Sequence, residues 1–120
     1  MTITLTHGST DQSIIVRVLD ADTGQPETGV AHNAAGADFW YRREGGSKVT
    51  VSLTSLGSLN GVHSDGGWIE IDHGYYRFDL PDAAFATGVD QVTIGGTFTD
   101  RIVIGATVQL TAAATNDVNV

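Results

Sequence analysis

Residues 74–110, GYYRFDLPDAAFATGVDQVTIGGTFTDRIVIGATVQL, decide the fold of this chain. Two segments of alternating apolar and polar residues lie on either side of a Leu-Pro-Asp break and a glycine-containing turn. Alternation with period 2 is typical of a strand that buries one face. The last segment, RIVIGATVQL, is predicted to place five apolar residues on one face: Ile102, Ile104, Ala106, Val108 and Leu110. The stretch therefore predicts the closing hairpin of a small β-sandwich.

Four earlier segments show the same alternation: SIIVRVLD (13–20), DFWYRRE (38–44), KVTVSL (48–53) and WIEI (68–71). Together with YYRFDL (75–80), they are predicted to bury Ile14, Val16, Val18, Phe39, Tyr41, Val49, Val51, Leu53, Ile69, Ile71, Tyr76, Phe78 and Leu80. PDAAFATG is predicted to make one helical turn, because it begins with proline and ends with glycine. About seven or eight strands at short spacing predict an all-β, antiparallel sandwich of two sheets.

At 120 residues the chain has the size of one domain. Residues 1–12 are predicted to be an N-terminal arm or short strand, in which Ile3 and Leu5 alternate with threonine. Residues 13–110 form the predicted sandwich, and residues 111–120 form a C-terminal tail without a strand pattern.

The charge of the chain excludes several classes of partner. The formal net charge is −8, and the six basic residues are scattered along the chain. Binding to nucleic acid or to an anionic membrane needs a basic surface, so neither partner is expected. The N-terminus lacks the features of a secretion signal, and no segment has the roughly 20 apolar residues of a membrane span. We therefore expect the protein to be made and assembled in a cytoplasm.

The histidines are candidate ligands or bases, but their positions are those of turn residues. His7, His32, His63 and His73 lie in predicted turns or near strand ends, without HxH or HxxxH spacing. His63-Ser64-Asp65 contains the residue types of a catalytic triad, but a triad is built in space and needs no adjacency in sequence. We interpret this segment as a polar loop.

The carboxylates also have an ordinary structural interpretation. The run from Asp20 to Gly24 resembles the start of a calcium loop, but Ala31 occupies the twelfth position, where an acidic ligand is required. Glu70 and Asp72 are predicted to face solvent together, rather than a catalytic cleft. We therefore expect no catalytic residue, no metal and no cofactor, and we interpret the protein as a non-enzyme.

Adjacent aromatic residues indicate an interaction surface. In each of the pairs Trp40–Tyr41 and Tyr75–Tyr76, one side chain is expected to point away from the core, because successive residues of a strand point to opposite faces. Outward aromatics and strand-like termini are typical of subunit interfaces. The candidate interface residues are Ile3, Leu5, Trp40, Trp68 and Tyr75. A glycan-binding platform remains an alternative use of the same aromatics.

Four motifs together resemble a known family. They are DADTGxPxTGV, FWYRREGG, GGWIEID and GYYRFDLPDAAFATGVDxVTI, and the resemblance covers roughly residues 14–110. The pattern is similar to a domain of tailed-bacteriophage virion proteins. That domain occurs at the start of tail-fibre or baseplate proteins and as small stand-alone head-decoration or fibre proteins.

The resemblance implies an immunoglobulin-like sandwich with a role in assembly and with no catalytic residues to carry over. It implies a virion location, other phage structural proteins as partners, and a homo-oligomer. The chain ends soon after the sandwich, with no fibre shaft, which favours a small decoration or adaptor protein over a complete tail fibre. Of these we expect a capsid decoration or small head-fibre subunit. The alternatives are a tail-fibre, baseplate or neck adaptor, and a carbohydrate-binding adhesion module that attaches to host-surface glycans.

Overall fold

A computed structural model describes residues 2–112, which form ten β-strands and one short 3-10 helix at Asp82–Phe85. The strands are β1 (Thr2–Thr6), β2 (Ser13–Asp20), β3 (Asp38–Arg43), β4 (Lys48–Val51), β5 (Thr54–Ser55), β6 (Gly67–Asp72), β7 (Tyr75–Asp79), β8 (Gln91–Thr97), β9 (Arg101–Ile104) and β10 (Ala106–Thr111). The predicted tail begins at the end of β10, and its residues 113–120 lie outside the described range.

The strands form two five-stranded sheets that pack face to face. Sheet 1 has the order β1-β10-β8-β3-β4, and sheet 2 has the order β5-β6-β7-β2-β9. β3, β8 and β10 oppose β2, β7 and β6, as strands C, F and G oppose B, E and D in immunoglobulin sandwiches. The prediction of an all-β sandwich is confirmed. Two pairs, β1 with β10 and β5 with β6, are parallel, so the sandwich is not wholly antiparallel.

The core lies between the sheets and contains a cluster of aromatic rings. Trp68 stacks on Tyr76 with ring centroids 4.7 Å apart, and Phe39 meets Trp68 edge-on at 4.9 Å. The predicted inward residues of β2 and β7 are buried around this cluster: Ile14, Val16, Val18, Tyr76 and Phe78. Such rings supply a large buried apolar area, which is the main driving force for folding.

The chain crosses from one sheet to the other at Gly105, so RIVIGATVQL is two strands. The prediction that its five apolar residues share one face is therefore wrong. Ala106, Val108 and Leu110 are buried in sheet 1, whereas Ile102 and Ile104 of sheet 2 are 47% and 44% exposed. A side chain at Gly105 would bring its Cβ within 2.0 Å of the Ile94 carbonyl oxygen, so only glycine fits this crossing. The crossing and the short β5 raise the number of strands from eight to ten.

The β6 strand turns the other side to the core from the one predicted. Trp68 is buried, whereas Ile69 is half-buried and Ile71 is exposed on the outer side. Glu70 lies on the same side as Trp68, and its Oε1 accepts a hydrogen bond from the Gly29 amide at 2.8 Å. The large indole ring fills the core better than an isoleucine would, and this decides the facing.

Inward packing was also predicted for the β4 segment, and it is confirmed only in part. Val51 is buried and Leu53 packs partly against the core. Val49 is 43% exposed, because β4 is the edge strand of sheet 1 and the opposite sheet does not cover this end.

The predicted helical turn is the 3-10 helix, and an arginine from sheet 1 holds the loop in which it lies. The guanidinium of Arg43 donates hydrogen bonds of 2.9–3.1 Å to four carbonyl oxygens, those of Ala83, Ala84, Ala86 and Thr87. The carbonyls at the end of a short helix otherwise have no partner within it. Arg43 therefore attaches the loop to β3.

Candidate interaction surface

The outer face of sheet 2 carries most of the exposed apolar side chains that lie on strands. We define the sheet 2 face by its five exposed apolar residues: Ile15, Ile71, Tyr75, Ile102 and Ile104. β2, β6, β7 and β9 place these side chains side by side, because outward residues of neighbouring strands align across a sheet. Contiguous exposed apolar surface of this kind is typical of interaction sites.

One cross-strand row runs across the centre of the sheet 2 face. Asp72 of β6 pairs with Tyr75 of β7, Tyr75 pairs with Arg17 of β2, and Arg17 pairs with Ile104 of β9. The Arg17 guanidinium lies 4.9 Å from the centre of the Tyr75 ring, which is a cation–π arrangement. The row therefore carries a cation, an aromatic ring and a carboxylate within one apolar face.

Arg17 differs from every other basic residue of the chain, all of which lie in the described range. The other five donate to an acceptor on this chain: Arg42 to Gly46, Arg43 to the loop carbonyls, Lys48 to Asp38, Arg77 to Asp79 and Arg101 to Glu27. Arg17 has no such acceptor among residues 2–112, and its Nε is buried without a hydrogen-bond partner. Leaving a buried donor unsatisfied costs about 1–3 kcal/mol, more for a charged group.

A shallow hollow of about 700 Å³ adjoins the row. It is lined by Ile3, Ser13, Ile15, Ile71, Asp72, His73 and Tyr75. Ile3 comes from β1 of the other sheet, so the hollow extends the sheet 2 face toward the N-terminal strand.

The five predicted interface residues do not lie together. Ile3 and Leu5 are half-buried and pack against the core from β1. Trp40 is half-buried on the outer face of sheet 1, where its ring covers Gly95. Tyr75 belongs to the sheet 2 face, and it lines the adjoining hollow together with Ile3, whereas the other three lie elsewhere.

The prediction of Trp68 as an interface residue is contradicted by the position of its side chain in the core. Its side chain is 3% exposed, and its Nε1 donates a hydrogen bond to the Val30 carbonyl at 2.9 Å. A side chain that is enclosed in the core offers no area to a partner. Trp40 and Tyr75 lie on opposite faces of the sandwich, so the large aromatics do not form one glycan-binding platform.

The polar segments singled out in the sequence have structural partners. Asp20 Oδ1 accepts hydrogen bonds from the Asp22 and Thr23 amides, and these two bonds lower the pKa of Asp20. This is the geometry of an ordinary Asx turn. His63 Nε2 lies 2.9 Å from the Leu80 carbonyl oxygen, which ties its loop to the end of β7. Within residues 2–112, no group of three or more histidine or carboxylate side chains is placed to hold a metal ion.

Asp79 is the one buried carboxylate among residues 2–112, and sequence reasoning did not identify its role. Arg77 donates two hydrogen bonds to its carboxylate at 2.8 and 3.0 Å, and Ser13 and the Ser64 amide donate two more. Burial by itself raises the pKa of Asp79, but these hydrogen bonds outweigh burial and hold the pKa below its usual value. The network joins β2, β7 and the 57–67 loop.

Sequence reasoning also missed Arg17 and the exposed isoleucines of β9. A signal was present in SIIVRVLD, where Ile15 and Arg17 alternate with the core residues and must point outward together. In RIVI the same signal is misleading, because Arg101 shares its side with Val103, which packs against the core, while Ile102 and Ile104 are exposed.

Comparison of the chain with family models, curated proteins and solved structures finds no match. The described residues contain no helix with the length and apolar character needed to cross a membrane. The surface geometry and the resemblance described above are therefore the basis for a functional proposal.

Proposed function

We propose that this protein is a non-enzymatic structural component of a phage virion, a capsid decoration or small head-fibre subunit that works as a homo-oligomer on the virion surface. The observation that carries the proposal is the sheet 2 face, with its exposed isoleucines around Arg17 and Tyr75. Tyrosine and arginine are enriched among the residues that dominate binding at protein interfaces. An assembly protein would use such a face to bind its partner. The sequence resemblance supports the same class of protein, a virion structural protein.

The virion partner is a phage structural protein, and the protein is assembled in the host cytoplasm. A tail-fibre, baseplate or neck adaptor belongs to the same class and would use the same face. The location on the particle separates these roles. Glycan attachment has weaker support, because Trp40 and Tyr75 lie on opposite faces of the sandwich.

The test is quantitative mass spectrometry and immunogold electron microscopy of purified particles from the phage or prophage that encodes the chain. We expect the protein in many copies per particle, with label on the heads. Label on the tail or neck would support the adaptor role instead. Particles without the protein would contradict the proposal.

A pair of variants connects this result to the surface. We expect Tyr75→Asp to reduce incorporation into particles at least tenfold, because it places a charge at the centre of the apolar face. Val62→Asp is the matched control, since Val62 is 88% exposed and lies in a loop outside the sheet 2 face. Circular dichroism of both purified variants verifies that they fold. Equal incorporation of both variants would show that the sheet 2 face is not needed for virion assembly.

A further inference from the structure

We infer that the sheet 2 face binds the same face of a second copy of this chain, in a two-fold dimer in which each Arg17 pairs with Asp72 of the other copy. This inference rests on the homo-oligomer part of the proposed function and names its interface. It does not depend on the virion location.

The cross-strand row has the spacing that a two-fold interface needs. Arg17 and Asp72 lie one strand away from Tyr75 on either side, which is roughly 4.8 Å in each direction. A two-fold axis parallel to β7 at Tyr75 reverses the order of the row in the second copy. Each Arg17 then faces Asp72 of the other copy, and the two Tyr75 rings meet at the axis. In a two-fold interface every contact occurs twice, so one face must carry both charges.

Neither charge of this pair is held by an opposite charge within the core of the described chain. Arg17 has no acceptor among the described residues, and its Nε is buried without a partner. The Asp72 side chain is 73% exposed, and its ion-pair partner is the adjacent, exposed His73. An arginine–carboxylate pair between copies would give the Arg17 guanidinium a counter-charge that no residue of 2–112 supplies. Ile15 and Ile71, which lie beside the row on β2 and β6, would shield this pair from water.

The size of the face predicts a weak dimer. With the axis along β7, only β6, β7 and β2 face their counterparts, because β9 would lie opposite the β5 side of the other copy. Three strands at about 4.8 Å and five residues at about 3.3 Å describe an overlap of roughly 14 by 17 Å. This is well below the roughly 800 Å² per partner that specific interfaces typically bury, so we expect a weak dimer that forms only at high protein concentration.

Charge reversal tests the pairing in solution. Sedimentation velocity over a range of concentrations is expected to show a monomer–dimer equilibrium for the unchanged chain. Arg17→Glu and Asp72→Arg should each remain monomeric, because each puts like charges together twice. An equimolar mixture of these two variants should form a heterodimer, since the introduced glutamate of one chain would then face the introduced arginine of the other. The native Arg17 and Asp72 that remain would also face each other. The double variant R17E/D72R should dimerise as well.

Arg42→Glu is the matched control, since Arg42 is exposed on β3 of the other sheet and its variant should dimerise like the unchanged chain. Thermal denaturation verifies that every variant folds. An unchanged chain that stays monomeric at all concentrations, or a mixture that shows no heterodimer, would overturn the inference. Neither result would affect detection of the protein in particles. A monomer whose Tyr75→Asp variant still fails to enter particles would assign the face to another virion protein.

Discussion

At the scale of single residues, the Asp79 carboxylate joins β2, β7 and the 57–67 loop by hydrogen bonds. A buried carboxylate is tolerated only when it is paired and hydrogen-bonded. Asp79 is 0% exposed and receives four hydrogen bonds from three separate parts of the chain. Its charge balances that of Arg77, whose side chain is itself only 13% exposed.

Replacement of Asp79 by asparagine should destabilise the protein by about 3 kcal/mol, because it leaves the Arg77 guanidinium without its counter-charge. Urea denaturation at neutral pH measures this loss. The matched control is Asp22→Asn, which changes an exposed turn carboxylate and should leave the midpoint nearly unchanged. Equal midpoints for Asp79→Asn and the unchanged chain would contradict this account.

The lowered pKa of Asp79 also predicts a pH dependence. A carboxylate with a folded-state pKa below its unfolded value of about 3.9 adds stability above that pH. This stability is lost as the pH falls through the folded-state pKa. The unchanged chain should therefore lose stability steeply in acid, and Asp79→Asn should lose less. Urea midpoints measured from about pH 7 down to about pH 2.5 test this difference, and parallel curves would show that Asp79 does not titrate in this way.

At the scale of elements, Gly105 separates two strands that the sequence presents as one. The Cβ of any other residue would lie 2.0 Å from the Ile94 carbonyl oxygen and 3.1 Å from the Gly95 Cα, both of which are backbone atoms of β8. Overpacking of this kind typically costs about 1–3 kcal/mol. We expect Gly105→Ala to lower the free energy of unfolding by that amount. Gly57→Ala is the control, since its Cβ would meet no atom within 4 Å. Equal stability of the two variants would contradict the requirement for glycine at the crossing.

The attachment of the 3-10 loop by Arg43 predicts a large effect from a conservative change. Lysine carries the same charge but cannot reproduce the planar geometry that reaches four carbonyl oxygens. We expect Arg43→Lys to destabilise the protein by about 2 kcal/mol. Arg42→Lys is the matched control, because Arg42 is the neighbouring residue and donates one hydrogen bond, to Gly46. Chemical denaturation measures the free energy of unfolding of both variants. Similar losses for the two would show that the loop contacts of Arg43 do not stabilise the protein specifically.

At the scale of the whole molecule, β1 covers one edge of sheet 1. It pairs in parallel with β10, close to the other end of the described chain, and Ile3 and Leu5 pack against the core. A variant without residues 1–6 would expose the edge of β10 and lose both side chains. Exposed edges promote association between chains.

We expect this shortened variant to be about 2–3 kcal/mol less stable and to scatter light on heating. Thermal denaturation with simultaneous light scattering measures both effects. Thr4→Ala in the full chain is the control, because Thr4 is exposed and its backbone pairing with Gln109 remains. An unchanged midpoint for the shortened chain would show that β1 is dispensable for the fold.

The sequence by itself determined the all-β class, the two-sheet sandwich and the core residues of β2 and β7. In SIIVRVLD and YYRFDL one alternating set contains an arginine, so only the other set is suited to the core. It also determined the helical turn after Leu80, through the proline and glycine that bound it.

Only the tertiary structure decided the crossing at Gly105, the inward facing of Trp68 and the outer row of Asp72, Tyr75, Arg17 and Ile104. The physical reason is that alternation shows which residues share one side of a strand. It does not by itself show which side meets the core: in WIEI and RIVI the side that contains a charged residue, Glu70 or Arg101, is the one that faces inward. It also does not show which strands become neighbours, and the candidate interaction surface is made by neighbours that are far apart in sequence.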